Sequence, residues 1–362
     1  MRFCTITTNQ FRNLKEEPLE VDASKVLLIG SNGQGKTNLL EALYTLCYGS
    51  SFRTTQIKEL ATHGFKDFRI EGTYRDERDL LHTLTLTFKD NKRVITLDGT
   101  VIRDRKELVY NIPTIVFSHD DIFFVKGEPE YRRKFFDQTM SMYNPLFFDD
   151  HRRYRQVLRQ RNQAIKDEQY SLLPIYDRQL ARHGIAIQQE RVHSVYEFLQ
   201  IFPEIYQEVS QSDTLLDIEY RPSWEECATE EEVIHYLEFH RRRDIKLQTT
   251  TSGIHRDQFM ISEEGYPFAN KGSTGQLRLA SLALRVAQMA YFTKKTDKET
   301  VILVDDVLLE LDIPKRERFL TLLSGYSQAF FTFLPEERYI NSFETCDRKV
   351  YHVSEGAFTL GQ

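Results

Sequence analysis

One short segment combines the residue types that phosphate binding requires. The run Gly30-Ser31-Asn32-Gly33-Gln34-Gly35-Lys36-Thr37 fits the pattern GxxxxGK[ST] in full. Glycines let the backbone curl so that successive N–H groups face phosphate oxygens, and the start of a following helix adds positive potential. The lysine of such a loop reaches the β- and γ-phosphates of a nucleotide, and the hydroxyl ligates Mg²⁺. We therefore expect residues 30–38, which end at Asn38, to bind ATP; the alternative is a glycine-rich turn before a helix.

A second segment ends in two carboxylates. Val301-Ile302-Leu303-Val304 is an apolar run typical of a buried strand, and Asp305 and Asp306 follow it directly. Asp305 is suited to hold Mg²⁺ together with Thr37, and Asp306 is suited to activate water as a general base. A strand that runs into a polar loop is the plain alternative. The pairing with the phosphate loop makes the catalytic interpretation stronger.

A third segment, Ser273-Thr274-Gly275-Gln276, precedes the amphipathic sequence LRLASLALRVAQMAYF. The Ser273 hydroxyl and the free N–H groups of a helix start form an anion site. By itself this segment is equally explained as an ordinary N-capped helix.

The elements around these segments indicate an α/β fold interrupted by helices. Apolar strands are expected at 25–29, 112–117, 215–220 and 301–304, and the period-two pattern of 82–88 and 93–97 predicts a hairpin. Helical composition follows the phosphate loop and dominates residues 126–211. Pro174 and Gly184 interrupt that stretch, which therefore predicts several helices. The order suggests one nucleotide-binding head with a helical insertion.

Bulk composition excludes several classes of protein. The 362 residues include 48 Lys+Arg and 54 Asp+Glu, a formal charge of −6 that argues against nucleic acid if the charge is evenly spread. It is not, since residues 151–161 hold five arginines and no acid, whereas 225–238 hold six acids and no Lys or Arg. The four separated cysteines favour free thiols over a disulfide scaffold or a zinc site. The chain has no membrane-length apolar run and no signal-peptide core, so we expect a cytoplasmic protein.

Together the three segments resemble the ABC-type ATPases, in which an SxGQ signature precedes a helix upstream of an acidic strand. Within that superfamily, blocks along nearly the whole chain resemble the RecF family of bacterial recombination mediators. The blocks are GSNGQGKTNLLEALYTL (30–46), SSFRTTQIKELATHG (50–64), VFSHDDIFFVKGEPEYRRKFFD (116–137), YRQVLRQRN (154–162), SGIHRDQF (252–259) and VDDVLLELD (304–312).

The resemblance implies a fold and an assembly. The fold is an SMC-like ABC ATPase head with a mixed sheet and an antiparallel β lobe, plus an inserted all-helical arm. We expect head halves at 1–125 and 212–362 and the arm at 126–211. In the family, the signature of one subunit caps ATP held by the loop of the other, so Ser273, Thr274, Gly275 and Gln276 would act in trans. Asp312 would lie in the D-loop, facing the second subunit.

Some positions depart from the family pattern. Ile254 and Gln258 replace a proline and an aspartate, and His119 stands where many relatives have proline. Asp306 occupies the place of the usual catalytic glutamate, as it does throughout RecF. A further strand is expected at 329–333. The ABC-type pattern places a switch histidine after this strand, but the sequence has none there, and Thr332 is the nearest polar residue.

Arginines are the DNA-binding candidates. On a helix, Arg152, Arg155 and Arg159 share one face, which suits a phosphate backbone; a solvated face or pairing with nearby acids is the alternative. Arg132 and Arg133 lie just upstream, and Arg241-Arg242-Arg243 form another cluster. Arg53 matches a position that links DNA to the ATP site in SMC-like heads, although pairing with Glu59 or another acid would also explain it. His255-Arg256-Asp257 is a compact polar triplet without a nucleophile elbow.

The primary interpretation is a RecF-like, DNA-dependent ATPase of recombinational repair and replication restart. ATP would close a homodimer on duplex DNA near a junction of single- and double-stranded DNA, and slow hydrolysis would reopen it. RecR and possibly RecO are partners implied only by the family. The alternative is a nucleotide-dependent switch that binds other proteins and makes little DNA contact. The six acids of residues 225–238 would then form its protein-binding surface. A metabolic kinase is a third option, which leaves the signature and the long insertion without a purpose.

Overall fold

The computed structural model describes residues 1–336 and 347–361. Within them the strands are β1 (Arg2–Asn9), β2 (Leu19–Glu20), β3 (Lys25–Ile29), β4 (Phe68–Arg75), β5 (Leu81–Lys89), β6 (Lys92–Leu97), β7 (Thr100–Val101), β8 (Thr114–Phe117), β9 (Leu216–Arg221), β10 (Gln258–Glu263), β11 (Tyr266–Pro267), β12 (Thr300–Val304), β13 (Tyr326–Phe333), β14 (Arg348–Ser354) and β15 (Ala357–Leu360). The α-helices are α1 (Lys36–Tyr48), α2 (Arg105–Asn111), α3 (Phe123–Lys126), α4 (Pro129–Tyr143), α5 (Pro145–Lys166), α6 (Leu173–Phe198), α7 (Phe202–Ser210), α8 (Glu230–Leu247), α9 (Phe268–Lys271), α10 (Thr274–Thr296) and α11 (Ile313–Leu322).

Contacts divide the chain into two compact units. The first unit comprises Met1–Asp120 and Thr296–Gln362, and the second comprises Asp121–Lys295. The division of the head at residues 125 and 211 stays a prediction. No helix in the described part of the chain is both long and apolar enough to cross a bilayer.

The first unit contains two six-stranded sheets. One has the order β2-β1-β4-β5-β6-β7 and is antiparallel. The expected hairpin is confirmed as β5 and β6, whose two-residue turn at Asp90 and Asn91 has positive φ at both positions, as a type I′ turn requires. The other sheet has the order β15-β14-β3-β13-β12-β8 and is parallel except for β15. Strands β3, β8 and β12 of this sheet are continuous apolar runs that are almost wholly buried, as is typical of strands covered on both faces.

A single buried amide joins segments of these two sheets. The Gln328 side chain on β13 donates to the carbonyls of Phe3, Val21 and Ala23 at 2.7–3.1 Å, and it accepts from the Phe3 N–H at 2.8 Å. Gln328 has no solvent exposure, so these bonds satisfy groups that would otherwise be costly to bury.

The second unit contains helices α3 to α10 and a small sheet of order β11-β10-β9. Residues 126–211 are helical, as the sequence predicts, and α4 to α7 are separate helices. The expectation that Gly184 interrupts a helix is wrong, because α6 runs through it without a break. The glycine is required there since a Cβ would lie 2.4 Å from the buried Trp224 ring.

Buried arginines organise this unit. Arg191 on α6 pairs with Asp137 and Asp257 at 2.8 and 2.6 Å. Burial alone would raise the pKa of Asp137, but the Arg191 and His151 charges hold that pKa at about 2. Arg161 on α5 pairs at 2.7 Å with both Asp177 and Asp244. One of the five arginines in residues 151–161 is therefore internal and adds nothing to the surface charge.

The SGIHRDQF block (252–259) belongs to this interior. His255 Nε2 donates to the Thr250 carbonyl at 3.1 Å, so its Nδ1 accepts from the Tyr154 hydroxyl at 2.9 Å. Burial lowers the pKa of His255 to about 4, and the charges of Arg256 and Arg133 act in the same direction. His255 and Asp257 are thus part of the packing of the unit, whereas Arg256 is exposed.

Candidate functional site

The phosphate loop lies between the buried strand β3 and helix α1, as the sequence predicts. Gly33 and Gly35 have φ values of 79° and 117°, which L side chains rarely adopt. The buried Lys36 ammonium donates to the Gly30 and Ser31 carbonyls at 2.6 and 3.2 Å. The ammonium therefore lies inside the loop that would surround the phosphates.

A segment distant in sequence, which ends in the turn at Glu355 and Gly356, braces this loop, and the sequence did not predict it. The Gly356 N–H and the Glu355 N–H donate to the backbone and side-chain oxygens of Gln34, each at 2.8 Å. A Cβ on Gly356 would lie 1.8 Å from the Asn13 carbonyl oxygen, and one on Gly30 would lie 2.5 Å from the Val353 carbonyl oxygen. Turns that contain glycine are common, so the sequence carries no signal that marks the turn at Gly356 as part of the nucleotide site.

The acidic strand end reaches the phosphate loop. Thr37 Oγ1 donates to Asp305 Oδ1 at 2.7 Å, although the two residues are 268 positions apart in sequence. Thr332 on β13 contacts the next residue of this strand end: its hydroxyl donates to Asp306 Oδ1 and accepts from the Asp306 N–H, both at 2.8 Å. The sequence marks Thr332 only as a polar residue near a missing histidine, because its contact with Asp306 arises from the pairing of β13 with β12.

The electrostatics at this end suit a cation. Burial raises the pKa of Asp305 to about 6, the hydrogen bond from Thr37 opposes that rise, and the Asp306 charge adds to it. A nearby cation would relieve both the desolvation and the repulsion. Ligands in adjacent positions of an octahedral Mg²⁺ site lie about 3 Å apart, which fits the Thr37–Asp305 spacing.

Arg53 lies beside the first helix turn. It donates to Asn38 Oδ1 at 2.8 Å and to the buried Glu41 carboxylate at 3.1 Å. Arg12 makes two further bonds to Glu41, at 2.8 and 2.9 Å. The local acid that pairs with Arg53 is thus Glu41 instead of Glu59, and the pairing holds the guanidinium next to the nucleotide-binding loop.

The signature segment begins helix α10 in the second unit. Ser273 Oγ accepts from the Gln276 N–H at 3.3 Å, and Gln276 Oε1 accepts from the Ser273 N–H at 2.8 Å. Residues 273–276 are exposed, and a Cβ on Gly275 would meet no atom within 4 Å. Nothing in the described part of the chain therefore requires glycine there, and Thr274 precedes it on the same exposed turn.

In the first unit, exposed Asp312 caps α11 by accepting from the Lys315 N–H at 3.0 Å.

The arginine candidates fall into two groups. Arg152, Arg155 and Arg159 are all exposed on α5, and Arg152 also pairs with Asp149 at 2.8 Å. Arg132 donates to the Gly127 carbonyl at 2.7 Å, and Arg133 donates to the Asp257 carbonyl at 2.8 Å. These last two have structural roles, and their contact with DNA stays a prediction.

Of the residues outside the family pattern, His119 bonds Glu310 at 2.6 Å and Gln258 begins β10.

The fold and this site define an SMC-like ABC ATPase head. Residues 3–357 match the family model described as the RecF/RecN/SMC N-terminal domain. The structure also resembles an SMC head bound to the C-terminal winged-helix domain of ScpA, with a TM-score of 0.58 at 14% identity, a likeness of fold alone.

More similar relatives narrow the family. The chain is 41% identical to the DNA replication and repair protein RecF of Treponema pallidum (strain Nichols), over 97% of this chain and 99% of that relative. It is 30% identical to RecF of Leptospira interrogans serovar Lai, over 90% of each chain. The solved structure of the recombination mediator RecF-ATP superposes with a TM-score of 0.90 at 28% identity, covering 100% of this chain and 98% of that one. The chain belongs to the RecF family of DNA replication and repair proteins.

Proposed function

We infer that this protein is an ATP-dependent DNA-binding ATPase of recombinational repair. The observation that carries this conclusion is the 2.7 Å contact of Thr37 with Asp305 beside a complete phosphate loop. It brings together the hydroxyl and the carboxylate that a Mg²⁺–nucleotide site requires. The structural relative that carries ATP supports the same ligand.

The residues have distinct tasks in hydrolysis. Backbone N–H groups of residues 30–38 and the Lys36 ammonium hold the phosphates, and Thr37 with Asp305 would hold Mg²⁺. When bound, the ion would neutralise charge that develops on the phosphate oxygens. Asp306 accepts the proton of the attacking water, and Thr332 keeps its carboxylate oriented.

The site is completed by a second copy of the chain. Gly275 is exposed and has no internal reason to be glycine, which suits close approach by another molecule. We assign Ser273, Thr274, Gly275 and Gln276 to the phosphates held by the partner copy, with Asp312 facing that copy. A monomer then hydrolyses ATP slowly because each site lacks half of its groups.

DNA binding is assigned to the exposed arginines of α5 and to Arg53. Arg155 and Arg159 have no acidic partner among the described residues, so their charge is available for phosphates. ATP-driven dimerisation clamps duplex DNA near a junction with single-stranded DNA, and hydrolysis releases it. RecR and possibly RecO are the proposed protein partners, since a structural relative acts in the RecFOR pathway. The proposed location is the cytoplasm, at the nucleoid.

Dimerisation is tested by two substitutions. Lys36→Ala is expected to abolish ATP-dependent dimerisation because phosphate binding is lost. Ser273→Arg is expected to block dimerisation while it spares ATP binding, because the exposed signature turn is then obstructed. Light scattering with and without ATP measures the mass; a wild-type mass that stays monomeric with ATP contradicts the clamp.

DNA contact is tested by reversing the α5 charges. Arg152→Glu, Arg155→Glu and Arg159→Glu together should weaken duplex binding and reduce the magnitude of the salt slope by about 3, one unit for each lost phosphate contact. The control is Arg78→Glu, Lys89→Glu and Lys92→Glu, which makes the same charge change at exposed positions of the first unit. If the two triple variants bind duplex DNA with equal affinity, the α5 arginines are an ordinary solvated face and do not contact DNA.

The alternative function is a nucleotide-dependent switch that binds proteins and makes little DNA contact. Six exposed carboxylates favour it, those of Glu225, Glu226, Glu230, Glu231, Glu232 and Glu238. Filter binding of a gapped duplex, with and without ATP at two salt concentrations, separates the two functions. Salt-dependent, ATP-stimulated retention supports the DNA clamp, and no retention supports the switch.

A further inference from the structure

Helix α8 carries an aromatic cluster on its outer face that the proposed clamp does not use. Phe239 is 83% exposed. Its ring packs edge-on against His240 at 5.0 Å between centroids, and His240 stacks on Tyr236 at 4.1 Å. A phenylalanine ring this exposed keeps most of its apolar surface in water, and a stacking partner would cover that surface.

Cations follow this cluster along the same helix. Arg242, Arg243 and Lys246 are exposed and have no carboxylate within ion-pair distance in the described ranges 1–336 and 347–361. Tyr236, Phe239, His240 and Arg243 follow i, i+3, i+4 and i+7 spacing, so they share one face. The exposed side of α8 therefore presents the Phe239 ring and, further along the helix, three cations that are unpaired among the described residues.

The opposite face of α8 is fixed by the buried ion pairs. Arg241 donates to Asp177 at 3.0 Å, and Asp244 accepts from Arg161 at 2.7 Å. Because both partners lie on neighbouring helices of the same unit, α8 cannot rotate to bury Phe239 without breaking them. The exposed aromatic face is thus preorganised for a ligand.

We propose that this face binds single-stranded nucleic acid, with a base stacked on Phe239 and phosphates on Arg242, Arg243 and Lys246. An isolated ring accepts the face of an unpaired base, which duplex DNA does not offer, and stacking is independent of sequence. An acidic protein segment would satisfy the cations but would leave the aromatic ring without a matching partner. This assignment rests on the proposed function in DNA repair and names the single-stranded side of the junction.

Fluorescence tests the stacking directly. The chain has one tryptophan, Trp224, which is fully buried, so a tryptophan placed at 239 reports on the surface. Fluorescence of Phe239→Trp is expected to be quenched by a 20-nucleotide oligothymidylate. The control is Tyr196→Trp, which is also exposed on the second unit but lies on α6, and it should stay unquenched. No quenching at 239, or equal quenching at both positions, overturns the proposal.

Affinity measurements test the energetics. Phe239→Ala should weaken oligothymidylate binding about tenfold, as loss of one stacked base does, and Arg242→Glu with Arg243→Glu should reduce the salt slope. An unchanged affinity, or tighter binding of a poly-glutamate peptide than of the oligonucleotide, overturns the proposal. Duplex binding with ATP is measured separately on Phe239→Ala and should be unchanged. If the wild type fails to bind duplex with ATP, the proposed function is contradicted; if the wild type binds duplex but not oligothymidylate, only this inference is contradicted.

Discussion

The contacts of Thr332 link the two adjacent carboxylates at the end of β12. Its hydroxyl lies 2.8 Å from Asp306 Oδ1 and 3.3 Å from Asp305 Oδ1, and it also accepts from the Asp306 N–H. Asp306 has a φ of 51°, a conformation that is unfavourable for most residues other than glycine. The hydrogen bonds to Thr332 therefore hold Asp306 in this backbone conformation and keep its carboxylate next to β13.

Removing that hydroxyl tests its positioning role. Thr332→Val keeps the shape of the side chain, and it is expected to lower kcat for ATP hydrolysis by about 10- to 100-fold, in the range of a misplaced general base. The KM for ATP should change little because the phosphate loop is untouched. Thr332→Ser retains the hydroxyl and should restore most of the rate. Equal kcat values for the valine variant and the wild type would contradict this role.

At the scale of elements, the turn between β14 and β15 supports the phosphate loop. The N–H groups of Glu355 and Gly356 both bond to Gln34, and the Gly356 carbonyl accepts from the Lys15 N–H at 3.0 Å. Because β14 pairs in parallel with β3, the turn is delivered to the same end of the sheet as the loop that follows β3. The parallel pairing thus gives the loop a backbone brace that is remote in sequence.

A pair of matched glycine substitutions tests this brace. Gly356 and Gly325 both have positive φ, but only a Cβ at 356 would collide with another segment, the Asn13 backbone. Both alanine variants are expected to lose about 1 kcal/mol of the free energy of unfolding from backbone strain, and Gly356→Ala should lose more because the Asn13 backbone must also move. Only Gly356→Ala should also raise the KM for ATP, by displacing Gln34. Calorimetry and steady-state kinetics measure the two effects; equal KM values in the two variants would contradict the bracing role.

At the scale of the whole molecule, stability depends on charges inside the second unit as well as on its apolar core. His255 is held neutral between Tyr154 and Thr250, and burial is the main reason that its pKa falls to about 4. The unfolded chain takes up a proton on this side chain near pH 6.5, whereas the folded chain does not. Stability is therefore independent of this group above pH 6.5 and decreases as the pH falls from 6.5 to 4.

This linkage predicts a measurable acid sensitivity. Between pH 7 and pH 5, His255 should contribute a loss of about 2 kcal/mol in the free energy of unfolding. His255→Gln should remove that part of the pH dependence, although it will lower stability at pH 7. The control is His235→Gln at an exposed position of α8, which removes a histidine but leaves the buried contacts of His255 in place. Urea titrations at both pH values give the free energies; an unchanged slope in His255→Gln would contradict the assignment.

The sequence by itself determined the local parts of this protein. The phosphate loop is contiguous, so its glycines, Lys36 and Thr37 are readable without a structure, because backbone curvature and the helix start are local properties. The hairpin of β5 and β6 and the helicity of residues 126–211 follow from periodicity for the same reason. The signature at 273–276 was readable as a motif through its resemblance to a family.

The tertiary structure decided which of those residues meet and which are available. Thr37 contacts Asp305 across 268 positions, and Thr332 reaches Asp306, only because β12, β13 and β3 pair in one parallel sheet. The arginines of α5 look alike in sequence, yet Arg161 is buried between two carboxylates while Arg155 and Arg159 face solvent. The physical reason is that long-range pairing and the face on which a helix packs depend on the rest of the core, which no local pattern encodes.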